Sequence, residues 1–96
     1  MSLEELIFCL QCGEEIEFSI GDYNYFAQPQ YGVTDEKEGK YLLFKIFRYK
    51  ENEQDCLLIF SGTIEELVDF QFDDNFTLKE NIEKFSFFDG CYIVED

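Results

Sequence analysis

The chain contains no histidine and no tryptophan, and its six glycines are scattered singly. Without histidine it cannot form a Ser-His or Cys-His nucleophile pair or a histidine metal site. Scattered glycines also exclude a glycine-rich phosphate loop. Carboxylates are plentiful enough to pair by chance, but a glycosidase needs a sugar cleft that a chain of 96 residues rarely builds. We therefore expect a protein that binds another molecule and is not an enzyme.

Positive charge is scarce. Seven basic residues stand against 22 acidic residues, which gives a net charge of −15 at pH 7. Such a chain repels the phosphates of nucleic acid and anionic membranes, so a charged partner should be a basic protein surface. The same charge also fits a protein that is simply well solvated, because net charge governs solubility and association rather than fold.

Long apolar runs are missing as well, since none approaches the roughly 20 residues that cross a bilayer. The segment Met1–Glu5 lacks the basic start and the cleavage site of a secretory signal. We therefore expect a cytoplasmic protein whose four cysteines are reduced. No linker or repeat interrupts the sequence, which predicts a single acidic α+β domain over residues 1–96.

Cys9 and Cys12 form a CxxC pair. A zinc site would also need Cys56 and Cys91 as ligands. These two cysteines do not form the second CxxC that marks a zinc knuckle. Redox chemistry would favour a pair at the amino end of a helix, whereas this pair lies at the carboxyl end, where the helix dipole opposes a thiolate. We interpret these cysteines as small buried or half-buried thiols, and we predict no metal and no cofactor.

Three segments show helical periodicity behind a capping residue. The segment from Ser2 to Cys12 has an apolar stripe and is followed by Gly13 as a C-terminal cap. Two shorter helices are predicted after Thr63 and Thr77. Each of these threonines, like Ser2, is followed three residues later by a glutamate that can complete a capping box.

Five segments show strand patterns. They are Ile16–Ile20, Tyr23–Ala27, Tyr41–Tyr49, Cys56–Phe60 and Cys91–Val94. With the helices they predict an α+β fold in the order α-β-β-β-β-α-α-β. The sheet of about five strands should be mostly antiparallel, because the connections are too short for parallel crossovers.

The strands Tyr41–Tyr49 and Cys56–Phe60 are apolar on both faces, as in the middle of a sheet that is covered twice. If three short helices leave one face uncovered, that face becomes a contact surface for a twin subunit or another protein. We predict that Phe47 contributes to such a contact.

Acidic residues recur in separate clusters along the chain. Glu15 and Glu17, at i and i+2 on a strand, should project from one face roughly 6.6 Å apart, close to the spacing of phosphates along a nucleic-acid strand. Carboxylates at this pitch can occupy a Lys/Arg channel built for DNA or RNA. Alternatively, glutamate simply fills solvent-facing positions. The acids predicted to bind a partner are Glu15, Glu17, Asp35, Glu36, Glu38, Asp73 and Asp74.

Four short motifs resemble those of small uncharacterised proteins of Firmicutes and their mobile elements. The motifs are Ser2-Leu-Glu-Glu-Leu6, Glu15-Ile-Glu-Phe18, Gly62-Thr-Ile-Glu-Glu-Leu67 and Thr77-Leu-Lys-Glu80. In size and acidity the chain is also similar to phage-encoded inhibitors such as anti-CRISPR proteins, several of which imitate nucleic acid. This second resemblance implies an inhibitor that binds a protein rather than nucleic acid.

These observations lead to one hypothesis and two alternatives. The hypothesis is a non-catalytic acidic protein that inhibits a basic, nucleic-acid-binding protein by charge mimicry. One alternative is an immunity or antitoxin-like protein that blocks a toxin. The other is a self-associating structural module, which would make the protein a homodimer.

Overall fold

The computed structural model describes residues 1–50, 55–72 and 75–88. The elements in chain order are α1 (Leu3–Gln11), β1 (Ile16–Ile20), β2 (Tyr23–Pro29), β3 (Phe44–Tyr49), β4 (Leu57–Gly62), α2 (Ile64–Val68), α3 (Leu78–Asn81) and β5 (Ser86–Phe87). A single 3₁₀ turn, Ile82–Lys84, continues α3. This order confirms the predicted α+β class and the predicted succession of helices and strands.

The strands form one sheet in the order β4-β3-β2-β1-β5, and every neighbouring pair is antiparallel. Strands β1 to β4 lie side by side in chain order, as expected for antiparallel neighbours joined without crossovers. After the helices the chain returns to the opposite edge of the sheet, where β5 pairs with β1.

The ends of α1 are set by a few local residues. The Ser2 hydroxyl accepts a hydrogen bond from the Glu5 N–H (3.1 Å), and the Glu5 carboxylate accepts one from the Ser2 N–H (3.0 Å). This is the predicted capping box. At the other end Gly13 has φ +101°, its N–H donates to the Leu10 carbonyl, and the next N–H donates to the Cys9 carbonyl. These two bonds form a Schellman motif, which favours glycine at its left-handed position.

The two later capping predictions differ in outcome. Thr63 and Glu66 form the complete box before α2. At α3, Thr77 accepts from the Glu80 N–H as predicted, but the Thr77 N–H donates to the Asn81 side-chain oxygen (3.1 Å) instead of to Glu80. Because α3 ends at Asn81, the amide of this residue can fold back over the start of the helix.

The core lies on one face of the sheet. Ile16, Phe18 and Ile20 of β1 are buried, as their alternation predicted, and they belong to one cluster with buried side chains of all three helices. Phe18 stacks on Tyr25 at 5.6 Å between ring centroids and meets Phe72 edge-on at 5.7 Å. Burial of each large apolar side chain contributes about 1.5–3 kcal/mol, so this aromatic centre stabilises the contact between sheet and helices.

Strand β3 begins later than predicted. The expected strand Tyr41–Tyr49 joins the sheet only from Phe44 onward. The Tyr41 N–H donates to the Gln11 carbonyl at the carboxyl end of α1 (3.0 Å). The Leu42 N–H donates to the Val33 carbonyl, and the Leu43 carbonyl accepts from the Gln30 N–H, so these residues are bonded to the segment after β2.

Strand β4 lies at an edge of the described sheet, and not in the middle as its apolar pattern had suggested. Leu57 and Leu58 are accordingly 54% and 48% exposed. The predicted strand Cys91–Val94 lies outside the described residues. The short strand Ser86–Phe87 takes the place beside β1.

Candidate binding face of the sheet

The side of the sheet that points away from the helices, called the outer face here, has no layer of described residues over it. Its side chains alternate along the strands with those of the core, and none of them is fully buried. They are Glu17, Ser19, Asn24, Phe26, Gln28, Lys45, Phe47, Tyr49, Leu58 and Ser61. Among the described residues the sheet is therefore covered on one face only, and the outer face is a candidate surface for a partner.

Aromatic residues form the centre of the outer face. Phe26 of β2 lies directly opposite Phe47 of β3, and their rings stack nearly parallel, with 5.0 Å between centroids and 18° between planes. The Tyr49 ring lies 6.1 Å from the Phe26 ring and is tilted by 53°. Leu58 of β4 follows Phe47 in the same row. We call Phe26, Phe47 and Tyr49 the aromatic patch.

A carboxylate is fixed beside the aromatic patch. Glu17 of β1 lies opposite Phe26, and its Oε2 accepts a hydrogen bond from the Tyr49 hydroxyl at 3.3 Å. This bond reaches across β2, because Tyr49 belongs to β3. On the other side of β1, the Phe88 N–H donates to the Glu17 carbonyl at 2.9 Å. Glu17 thus lies between the aromatic patch and the β5 end of the sheet.

The structure brings together two of the residues predicted to bind a partner. Glu17 and Phe47 share the outer face, one on either side of Phe26. Glu15 is exposed and lies just before β1, two positions from Glu17 in the chain. A carboxylate and an aromatic residue predicted on separate grounds therefore belong to one surface.

Three other predicted acids, Asp35, Glu36 and Glu38, lie on a hairpin outside the sheet. An isolated bridge between Thr34 and Tyr41 closes this hairpin, and the Asp35 N–H donates to the Lys40 carbonyl at 2.8 Å. The last two predicted acids, Asp73 and Asp74, lie outside the described residues.

Tyr31 connects the acidic hairpin to the segment before β1. Its hydroxyl donates to the Gly13 carbonyl at 3.2 Å, and its ring meets the Tyr41 ring edge-on at 5.4 Å. Partial burial raises the pKa of the Tyr31 phenol, and the carboxylates of Glu15 and Glu14 contribute to the same shift. Tyr31 therefore joins the segment that leads into the acidic hairpin to the residue that precedes Glu14.

Few of these carboxylates have a cationic partner. Within the described ranges the ion pairs are Lys40–Glu38 and Lys79–Asp69, both exposed and both at 3.9 Å. Exposed pairs of this kind contribute about 0–1 kcal/mol. Most of the acidic excess is therefore left to solvent, ions or a partner.

The cysteines divide between core and surface. Cys9 is buried, whereas Cys12 and Cys56 are exposed free thiols. The prediction of buried or half-buried thiols is wrong for Cys12, which is the exposed residue at the C-cap of α1. In the part of the chain that the structure describes, no group of three or more Cys, Asp or Glu side chains is arranged to hold a metal ion. Cys91 lies outside that part.

No helix among the described residues is long and apolar enough to cross a membrane. No protein-family model, curated protein or solved structure matches the chain. The outer face and the charge of the molecule are therefore the features from which a function can be inferred.

Phe26 is the residue of the aromatic patch that sequence reasoning missed. Its position between Tyr25 and Ala27 in an alternating strand already placed it opposite the core side. Its contact with Phe47, however, depends on the register between β2 and β3, and the strand pattern alone does not supply that register.

Proposed function

We propose that the protein is a non-catalytic acidic inhibitor, which binds a basic, nucleic-acid-binding protein at the surface that normally holds DNA or RNA. The observation that carries this proposal is the position of Glu17 beside Phe26 and Phe47 on a sheet face over which the described residues form no layer, with the exposed Glu15 two positions earlier in the chain. Such a face combines carboxylates for a basic surface with apolar area that can be buried in the complex.

The scarcity of cations supports the same function. A net charge of −15 speeds association with a basic surface and disfavours contact with nucleic acid itself. Because the described ion pairs are few and exposed, this charge is not neutralised within the fold.

Affinity capture from the host with two charge-reversed variants tests the proposal. We expect wild-type protein, and the control E65K/E83K, to retain a basic protein that E15K/E17K retains at least about tenfold less well. Both pairs change the net charge equally, and Glu65 and Glu83 are exposed on helical segments, not on the outer face. The retained protein should be released by rising salt and by an oligonucleotide that it binds.

Other results of the same experiment would contradict the proposal. Retention that is insensitive to salt, or equal retention by both variants, would exclude charge mimicry. A single tight partner that does not compete with DNA or RNA would instead indicate an immunity or antitoxin-like role.

Self-association is a second candidate, favoured by the exposed apolar residues of the outer face and opposed by repulsion between two strongly negative copies. Sedimentation equilibrium of wild-type protein and F47E distinguishes the two cases. A wild-type dimer that F47E dissociates would support self-association. A monomer in both would count against it.

A further inference from the structure

We infer that the outer face recognises arginine side chains of its partner, with the Phe26–Phe47 pair as a stacking platform and Glu17 as the counter-charge. This inference rests on the proposed function and specifies which partner groups the face selects. It is carried by the placement of the carboxylate: Glu17 is the direct cross-strand neighbour of Phe26, which in turn stacks on Phe47.

The platform has the shape that a guanidinium requires. The two rings, inclined by 18° with 5.0 Å between centroids, stack on each other, so each keeps one free flat face on which a guanidinium can extend the stack. A guanidinium is planar, is more weakly hydrated than an ammonium, and stacks on aromatic faces while its N–H groups still donate sideways. A lysine ammonium is a strongly hydrated point charge, so it gains less from such a surface.

The carboxylate lies where those sideways donors would reach. Neighbouring strands are about 4.8 Å apart, so Glu17 borders the platform at one strand spacing from Phe26. The Tyr49 hydroxyl holds Glu17 Oε2 toward the aromatic patch. A carboxylate has about four acceptor positions, and the Tyr49 bond uses one of them, so acceptor capacity remains for a guanidinium.

A second copy of this chain is a poor occupant of the same face. It would bring a second net charge of −15 against the first. Arg48 is the one arginine of the chain, and its guanidinium already lies 4.5 Å from the centroid of the Tyr23 ring. Charge complementarity therefore favours an arginine-bearing basic protein over a twin subunit.

Titration with two peptides tests the inference directly. The probes are hexa-arginine amide and hexa-lysine amide, followed by calorimetry at low salt and by the aromatic proton shifts of Phe26, Phe47 and Tyr49. We expect hexa-arginine to bind wild-type protein about tenfold more tightly than hexa-lysine. The shifts of the aromatic patch should move with the first peptide and much less with the second.

Variants assign this preference to the platform. F26L and F47L keep an apolar side chain but remove the ring, and each should bring hexa-arginine close to the affinity of hexa-lysine. F8L is the matched control, because Phe8 is 55% exposed on α1 and lies away from the outer face. E17Q should weaken hexa-arginine several-fold, whereas E65Q should not. The wild-type comparison of the two peptides decides the question even if a variant folds poorly.

The outcomes separate this inference from the proposed function. Equal affinity for both peptides, or unchanged arginine preference in F26L and F47L, would overturn arginine recognition. If both peptides nevertheless bind and E15K/E17K binds neither, charge mimicry is supported and only the preference for arginine is rejected. If neither peptide binds, the inference is overturned and the proposed function loses its electrostatic basis.

Discussion

At the scale of single residues, Gly13 is the position where local conformation and long-range packing coincide. Its φ of +101° closes the Schellman motif of α1. A Cβ at this position would lie 3.0 Å from the Tyr41 ring. Two independent constraints therefore require glycine here.

G13A should destabilise the protein by about 2 kcal/mol, because the substitution adds both backbone strain and a clash with Tyr41. The matched control is G21A, at φ +63° with no atom within 4 Å of the added Cβ, which should cost about 1 kcal/mol. Urea unfolding of both variants measures the difference. Equal losses would show that Tyr41 moves aside without cost.

The stabilisation that the capping box gives to α2 depends on pH through the carboxylate of Glu66. Hydrogen bonds from the Thr63 N–H and hydroxyl hold the pKa of Glu66 below its usual 4.5. A lowered pKa in the folded state means that the stabilisation is present above pH 4.5 and is lost as pH falls through the lowered value.

The difference in unfolding free energy between wild-type protein and E66A should therefore be largest near neutral pH and should shrink below pH 4.5. Urea unfolding between pH 7 and 3 measures this difference. E65A, in the same helical turn but outside the capping box, should show a much smaller trend. A difference that stays constant with pH would contradict an ionic contribution from the cap.

At the scale of elements, the acidic hairpin is attached to α1 through Tyr31. The bond from its hydroxyl to the Gly13 carbonyl joins the segment after β2 to the carboxyl end of the helix. The raised pKa of the Tyr31 phenol means that the neutral, donating form is favoured in the folded state. The stabilisation that accompanies this shift is present below pH 10 and is lost as pH rises through the raised value.

Y31F should lower stability by about 0.5–1 kcal/mol at pH 8, and it should lose less stability than wild-type protein between pH 10 and 11. Y41F, which leaves the bond from Tyr31 to Gly13 in place but removes a lesser cause of the raised pKa, should keep most of the wild-type alkaline loss. Urea unfolding across this pH range compares the three proteins. Identical alkaline profiles for wild-type protein and Y31F would exclude Tyr31 as the titrating group.

How far the elements could be predicted depends on the range of the interactions that form them. The caps at Ser2 and Thr63 and the alternation of β1 are encoded within a few residues, and both predictions are confirmed. Residues 41–43, which lie outside β3, are bonded instead to Gln11 and to the segment after β2, at sequence separations that a local pattern does not contain. The edge position of β4 likewise depends on strand order, which local periodicity does not contain.

The candidate site, like the elements, was predictable where it depends on local pattern and not where it depends on long-range pairing. Glu15 and Glu17 follow from alternation, and Phe47 follows from a strand that is apolar on both faces. Whether these residues share a surface with Phe26 and Tyr49, however, depends on the registers of the β1–β2 and β2–β3 pairs. The separation of Asp35 from this surface arises from the hairpin, which the sequence showed only as a loop.

At the scale of the whole molecule, the acidic excess acts against the compact state. A net charge of −15, with only two exposed ion pairs among the described residues, implies repulsion among carboxylates. The Debye length falls from about 30 Å at 0.01 M salt to about 3 Å at 1 M, so added salt should relieve this repulsion.

The melting temperature of the dilute protein should therefore rise as sodium chloride increases over that range. Differential scanning fluorimetry at pH 7 measures the trend, and E15K/E17K, with less excess charge, should respond more weakly. A flat or falling curve would mean that the acids are already neutralised within the fold.

The negative charge of the molecule also affects how copies of the protein meet at the edge strand β4. Its sequence Leu-Leu-Ile-Phe-Ser-Gly carries no charge, and among the described residues it has a strand neighbour on one side only. An apolar strand with open backbone donors and acceptors can template the addition of a strand from another molecule. Mutual repulsion between like-charged copies hinders that encounter. The carboxylates would thus serve as colloidal protection, and acidifying a concentrated solution toward its isoelectric point should let the exposed edge seed aggregation.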